Sequence, residues 1–163
     1  MLATAVTLAL PLTASASVSD AVSTFTYTQN MHPMGYSERT VPLSGPGSGI
    51  LNSDLAFWGK RAFQGTYEGF RVIDITQPDN PVEVHNFTGC VAGTTIGNQG
   101  DLVVWGNVLV RSWNSPAPAG GAICGGVPTP AGQEGVHVFD ISDPTTPVGL
   151  AFVATPCGSH TAT

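Results

Sequence analysis

A fifteen-residue phrase occurs twice in this chain, and no other feature constrains the fold as tightly. Residues 68–82 read Glu-Gly-Phe-Arg-Val-Ile-Asp-Ile-Thr-Gln-Pro-Asp-Asn-Pro-Val, and residues 134–148 read Glu-Gly-Val-His-Val-Phe-Asp-Ile-Ser-Asp-Pro-Thr-Thr-Pro-Val. Val72 to Ile75 and Val138 to Ile141 are apolar on both sides of the alternation apart from one Asp. That pattern predicts a strand buried on both faces. The prolines that follow, Pro78 and Pro81 or Pro144 and Pro147, cannot continue a hydrogen-bonded ladder, so each strand stops before them. Asp74 and Asp140 stand where a carboxylate can accept N–H groups of the turn, and are read as structural turn anchors. A new strand then starts at Val82 or Val148.

The surroundings of the phrase repeat too. Residues 54–59, 62–65, 69–75 and 82–87 read as four strands joined by tight turns. Residues 101–106, 108–111, 136–141 and 149–154 read as four more. The first strands lie 47 positions apart (101 minus 54) and the third strands 66 (135 minus 69). The excess of 19 falls at 115–133, a Pro-, Gly- and Ala-rich insertion. Four-stranded units recurring at roughly 40–50 residues are the mark of β-propeller blades. The expected fold is all-β: a partial β-propeller of two four-stranded antiparallel blades plus the stub of a third. The expected divisions are 1–16 signal peptide, 17–51 N-terminal extension, 52–90 first blade, 91–157 second blade, and 158–163 the start of a third.

Composition narrows the class. Only 10% of residues are charged against 42% hydrophobic, with 20 Gly and 13 Pro, which suits many short strands and turns. The net charge is −6 and the five Lys and Arg form no cluster, which argues against a nucleic-acid partner. Leu2 to Leu12 is an uncharged apolar run followed by Ala14-Ser15-Ala16, the form of a signal peptide and its cleavage site. No Lys or Arg precedes it, so the expected true start lies upstream; a plain apolar tail is the alternative. The run is shorter than the roughly 20 residues needed to span a bilayer. The chain is therefore expected to be secreted or at the cell surface, with no membrane span.

The two copies, Val72 to Pro81 and Val138 to Pro147, resemble the LVIVD repeat. The resemblance covers roughly 52–163. It implies a secreted or surface β-propeller repeat protein, mainly bacterial, without an agreed activity. Members usually hold several more repeats, so the chain reads as an N-terminal fragment. The family supplies no catalytic residue, and none is assigned here.

Candidate chemistry is sparse. Cys90, at a strand end, and Cys124, in the insertion, are expected to form a disulfide that pins the long loop. Loop-closure entropy over about 34 residues makes that worth roughly 3–4 kcal/mol. Cys157 repeats the position of Cys90 and is left unpaired. His32, His85, His137 and His160 show no metal-ligand spacing, and His137 stands where Arg71 stands in the other copy, suggesting a solvent-side or interblade contact. Glu68 and Glu134 precede each buried strand and are expected at the blade rim or against a neighbouring turn. Trp58 and Trp105 each close a first strand ahead of a glycine, fitting either packing between blades or a sugar-stacking platform. Trp113, near the insertion, and His160 are the candidate ligand contacts. No metal site, cofactor or catalytic residue is expected. The function expected is a binding or scaffold module for an unknown protein or glycan. The alternative is a propeller-type hydrolase or lactonase with a metal in the central channel.

Overall fold

The structure is a computed structural model that describes residues 29–31, 33–39, 52–92, 95–96 and 99–161. The expected signal segment, a strand expected within 18–28, the Gly-rich loop at 44–49 and His32 lie outside these residues. Every regular element among the described residues is a strand. In chain order they are β1 (Asn52–Trp58), β2 (Arg61–Thr66), β3 (Gly69–Asp74), β4 (Val82–Phe87), β5 (Cys90–Ala92), β6 (Thr95–Ile96), β7 (Leu102–Trp105), β8 (Val108–Trp113), β9 (Ala122–Cys124), β10 (Val127–Thr129), β11 (Gly135–Asp140) and β12 (Val148–Ala154). They form three four-stranded antiparallel sheets.

The first sheet, β1-β2-β3-β4, and the second, β7-β8-β11-β12, are up-and-down meanders at the expected places. Their registers superpose. Gln64 faces Arg71 as Arg111 faces His137, and Phe63 faces Val72 as Val110 faces Val138. Each sheet also carries a β-bulge at the same point, after Val72 opposite β4 and after Val138 opposite β12. Such a bulge kinks and twists the outer strand without disturbing the inner three.

The third sheet, β10-β9-β5-β6, was not legible in the sequence. The insertion at 115–133 is no loop: β9 and β10 form a hairpin that pairs with β5, with Cys90 opposite Cys124. Strands of two or three residues hold too little alternation to register, and Pro128 within β10 masks the rest. Residues expected to open the second blade (β5 and β6) thus belong to a different sheet.

The first sheet packs one face against the opposite face of the second. Phe63, Phe70 and Val72 meet Leu102, Val104, Leu109 and Phe139 in one core, with Ala56, Val84 and Phe87 at its border. Phe139 sits edge-on to both Phe70 and Phe87 at centroid distances of 5.2 and 5.3 Å. Burying such rings is the largest stabilising contribution available to a chain this poor in charge. Two polar ties close the seam along the first strands: Leu102 N–H donates to Asp54 Oδ2 at 3.0 Å, and Ser53 Oγ donates to Gly100 O at 2.6 Å.

The expectation that both echoing strands are buried on both faces holds for only one. In β3, Gly69 to Ile73 are all buried, whereas β11 alternates buried with half-buried residues. The first sheet lies between the second sheet and residues 35–39; on the far face of the second sheet the described contact is that of Ser159 with Ser112 of β8, beside Val136.

Candidate functional site

Asp74 and Asp140 end equivalent strands, and each folds back onto its own turn. Asp74 Oδ1 accepts the Thr76 N–H and Asp140 Oδ1 the Ser142 N–H, both at 2.8 Å. Those bonds hold both carboxyls below the usual carboxylate range, so they stay ionised acceptors rather than general acids. Asp74 also pairs with Arg61 at 2.5 Å. Cys90 and Cys124 are joined in a disulfide, while Cys157 is a free, exposed thiol.

Trp113 is not available to a ligand. It is 1% exposed, because the insertion hairpin folds over it instead of leaving it at a loop surface. His137 is likewise fully buried, not on a solvent side, and Glu68 is buried rather than at a rim. His160 is exposed and its Nδ1 lies 3.4 Å from Thr161 Oγ1.

A polar core lies beneath the hairpin. His137 Nε2 is 2.7 Å from Thr129 Oγ1 of β10, and its ring rests edge-on to Trp113 and tilted against Phe152. Its Nδ1 has no hydrogen-bond partner among the described residues. Burial, aided by the charge of Arg111, lowers the imidazole to about 4, so His137 is neutral at physiological pH. Arg111 is fully buried, donating across to Thr66 O of the first sheet at 2.9 Å and to Ser112 O of its own strand at 3.1 Å; burial lowers it to about 10, so it stays charged. These groups serve packing. A histidine with a depressed folded-state value stabilises fully above its unfolded value near 6.5, and that contribution is lost as pH falls through the window from 6.5 to 4. The loss should approach about 3 kcal/mol, at about 1.4 kcal/mol per pH unit. Chemical denaturation across pH 7.5 to 4 should show it, and His137→Leu should flatten the profile over that window.

Large apolar groups reach solvent at the C-terminal ends of β1 and β7. Trp58 and Trp105 stand at equivalent positions before the turn glycines Gly59 and Gly106, whose φ values of 57° and 59° need a residue without Cβ. The two rings touch across the seam, with centroids 5.4 Å apart at 48°. Contact leaves them 42% and 79% exposed. Lys60, the Arg61–Asp74 pair and Asn107 lie beside them in sequence or register, so the rings form an apolar strip bordered by hydrogen-bonding groups. The glycine following each tryptophan was the sequence signal for this site. That the rings touch and yet stay exposed depends on how the two sheets pack, which no local pattern carries.

Among the described residues no three His, Cys, Asp or Glu side chains converge to hold a metal ion. No helix of the described residues is long and apolar enough to cross a membrane. Compared with protein-family models and with curated proteins, the chain matches none.

Proposed function

We propose that the chain is a secreted or cell-surface binding and scaffold module of the LVIVD-repeat kind, part of a β-propeller, that takes a glycan on the Trp58–Trp105 strip. The propeller reading is supported by two sheets with one register, one bulge position and one turn chemistry, packed unlike face to unlike face and touching along their first strands. A seam along first strands fits the inner strands of neighbouring propeller blades.

The observation that carries the ligand reading is the exposure of two indoles in mutual contact. Water-exposed Trp is costly to maintain, and a flat ring bordered by hydrogen-bonding groups suits the apolar face of a sugar. Asp74, the carboxylate beside this strip, is folded back on the Thr76 N–H and paired with Arg61, which suits a polar border to a bound ring. A panel of oligosaccharides titrated against the chain, followed by Trp fluorescence, tests this. A binder should be found whose affinity falls about tenfold in Trp105→Ala, the loss of one stacking contact of about 1.4 kcal/mol. Affinity unchanged in both Trp58→Ala and Trp105→Ala would sink the site.

A further inference from the structure

The two large sheets pack head to tail, and each leaves one face of that same interface unused. On the first sheet the interface is built from Ala56, Phe63, Phe70, Val72 and Phe87. The equivalent positions on the second sheet are Val103, Val110, Val136, Val138 and Val153, which the registers place on its far face. All five are half-buried or exposed, an aliphatic face of valines on which the described contact is that of Ser159 with Ser112 at one edge. On the second sheet the interface is built from Leu102, Val104 and Leu109 near the seam. Their equivalents on the first sheet are Leu55, Phe57 and Ala62, of which Leu55 and Phe57 are 52% and 61% exposed. Residues 35–39 lie over part of that face: Arg71 donates to Ser37 O and Glu38 O, Arg39 donates to Asn52 Oδ1 at 2.6 Å, and Ala62 and Ile73 are buried. Leu55 and Phe57 stay open to solvent.

We infer that a second copy of this chain docks head to tail, the Leu55–Phe57 face of one copy on the valine face of the other, repeating between molecules the interface that already joins the two sheets. The occupant follows from positional identity: the open valine face is the counterpart of a surface already seated against the kind of face that Leu55 and Phe57 present. Unlike faces make a heterologous contact, which continues from copy to copy until it closes a ring. The Trp58–Trp105 pair extends with it, since Trp58 of the incoming copy arrives at Trp105 as it does within the chain. Two local changes are required, and the first is that residues 35–39 shift away from Ala62 and Ile73. Second, Ser159 Oγ lies 3.0 Å from Ser112 Oγ, where Gly100 lies against Gly65 in the internal interface, so the exposed tail from 159 gives way on docking. The inference stands on this packing and not on the glycan reading.

Sedimentation velocity over a hundredfold concentration range tests it, using the full chain and the surface variants Phe57→Glu and Val110→Glu. The unaltered chain should gain mass with concentration, each variant alone should sediment as a monomer, and an equal mixture should form a one-to-one pair and nothing larger, because each variant keeps the face the other lacks. A chain that stays monomeric throughout would overturn the inference. So would a Phe57→Glu chain that still pairs with itself while Val110→Glu does not, which would mean two valine faces meeting each other. Circular dichroism checks folding first, and Val103→Glu replaces Val110→Glu if the latter does not fold.

Discussion

Replacing Gly135 by alanine should destabilise the protein on the order of 4 kcal/mol, and Gly69→Ala should do the same. These are the glycines of the two Glu-Gly pairs that open the repeated phrase. Both adopt positive φ, 154° and 159°, where a side chain is strained. More decisively, a Cβ at Gly69 would stand 2.1 Å from Phe87 O, and one at Gly135 2.0 Å from Val153 O. Neither oxygen can retreat without opening the pairing of β3 with β4 or of β11 with β12. Backbone strain of about 1–3 kcal/mol adds to overpacking of about 1–3 kcal/mol. Thermal melts should move down by roughly 10 °C. Gly106→Ala is the contrast: it stands in a turn with open space around it, and only the conformational term applies.

Glu83→Ala should cost about 3–5 kcal/mol, the loss expected when one member of a buried ion pair is removed. Arg71 and Glu83 are paired at side-chain exposures of 6% and 3%. Arg71 also donates to Gln64 Oε1 at 2.8 Å and to the carbonyls of Ser37 and Glu38. Alanine at 83 would strand that guanidinium under residues 35–39. The double variant Arg71→Met with Glu83→Leu should recover most of the loss, since two buried charges are replaced by apolar groups of similar volume. Urea titrations of the unaltered chain, Arg71→Met, Glu83→Leu and the double variant give the coupling directly. Recovery of stability should come with faster proteolysis of 33–39, because the arginine is what ties that segment down.

The contrast between Arg71 and His137 shows how far sequence reasoning reaches. The repeated phrase places both at the same point of the same strand, and the strands, their order and their turns follow from it. Surroundings are not repeated. Arg71 finds Glu83 and a returning N-terminal segment; His137 finds a hairpin, Trp113 and Phe152. Alternation tells which residues share a face but not what comes to lie on that face. Trp113 looked like a surface group for the same reason: the Pro- and Gly-rich stretch beside it hides two strands too short to leave a period. The candidate site was half legible. Trp58-Gly59 and Trp105-Gly106 marked two equivalent turns, while the closeness of the rings depends on how two sheets twist past each other.

The bond between Cys90 and Cys124 has a mechanical meaning. Cys90 lies in the stretch leaving the first sheet and Cys124 in the hairpin set inside the second, so β7 and β8 are enclosed by the closed loop. Pulled from its two ends, the oxidised chain cannot release the 34-residue span between them. That withholds about 120 Å of extension at roughly 3.5 Å per residue. Tension therefore bypasses β7 and β8 and falls on β11 and β12, which would peel first.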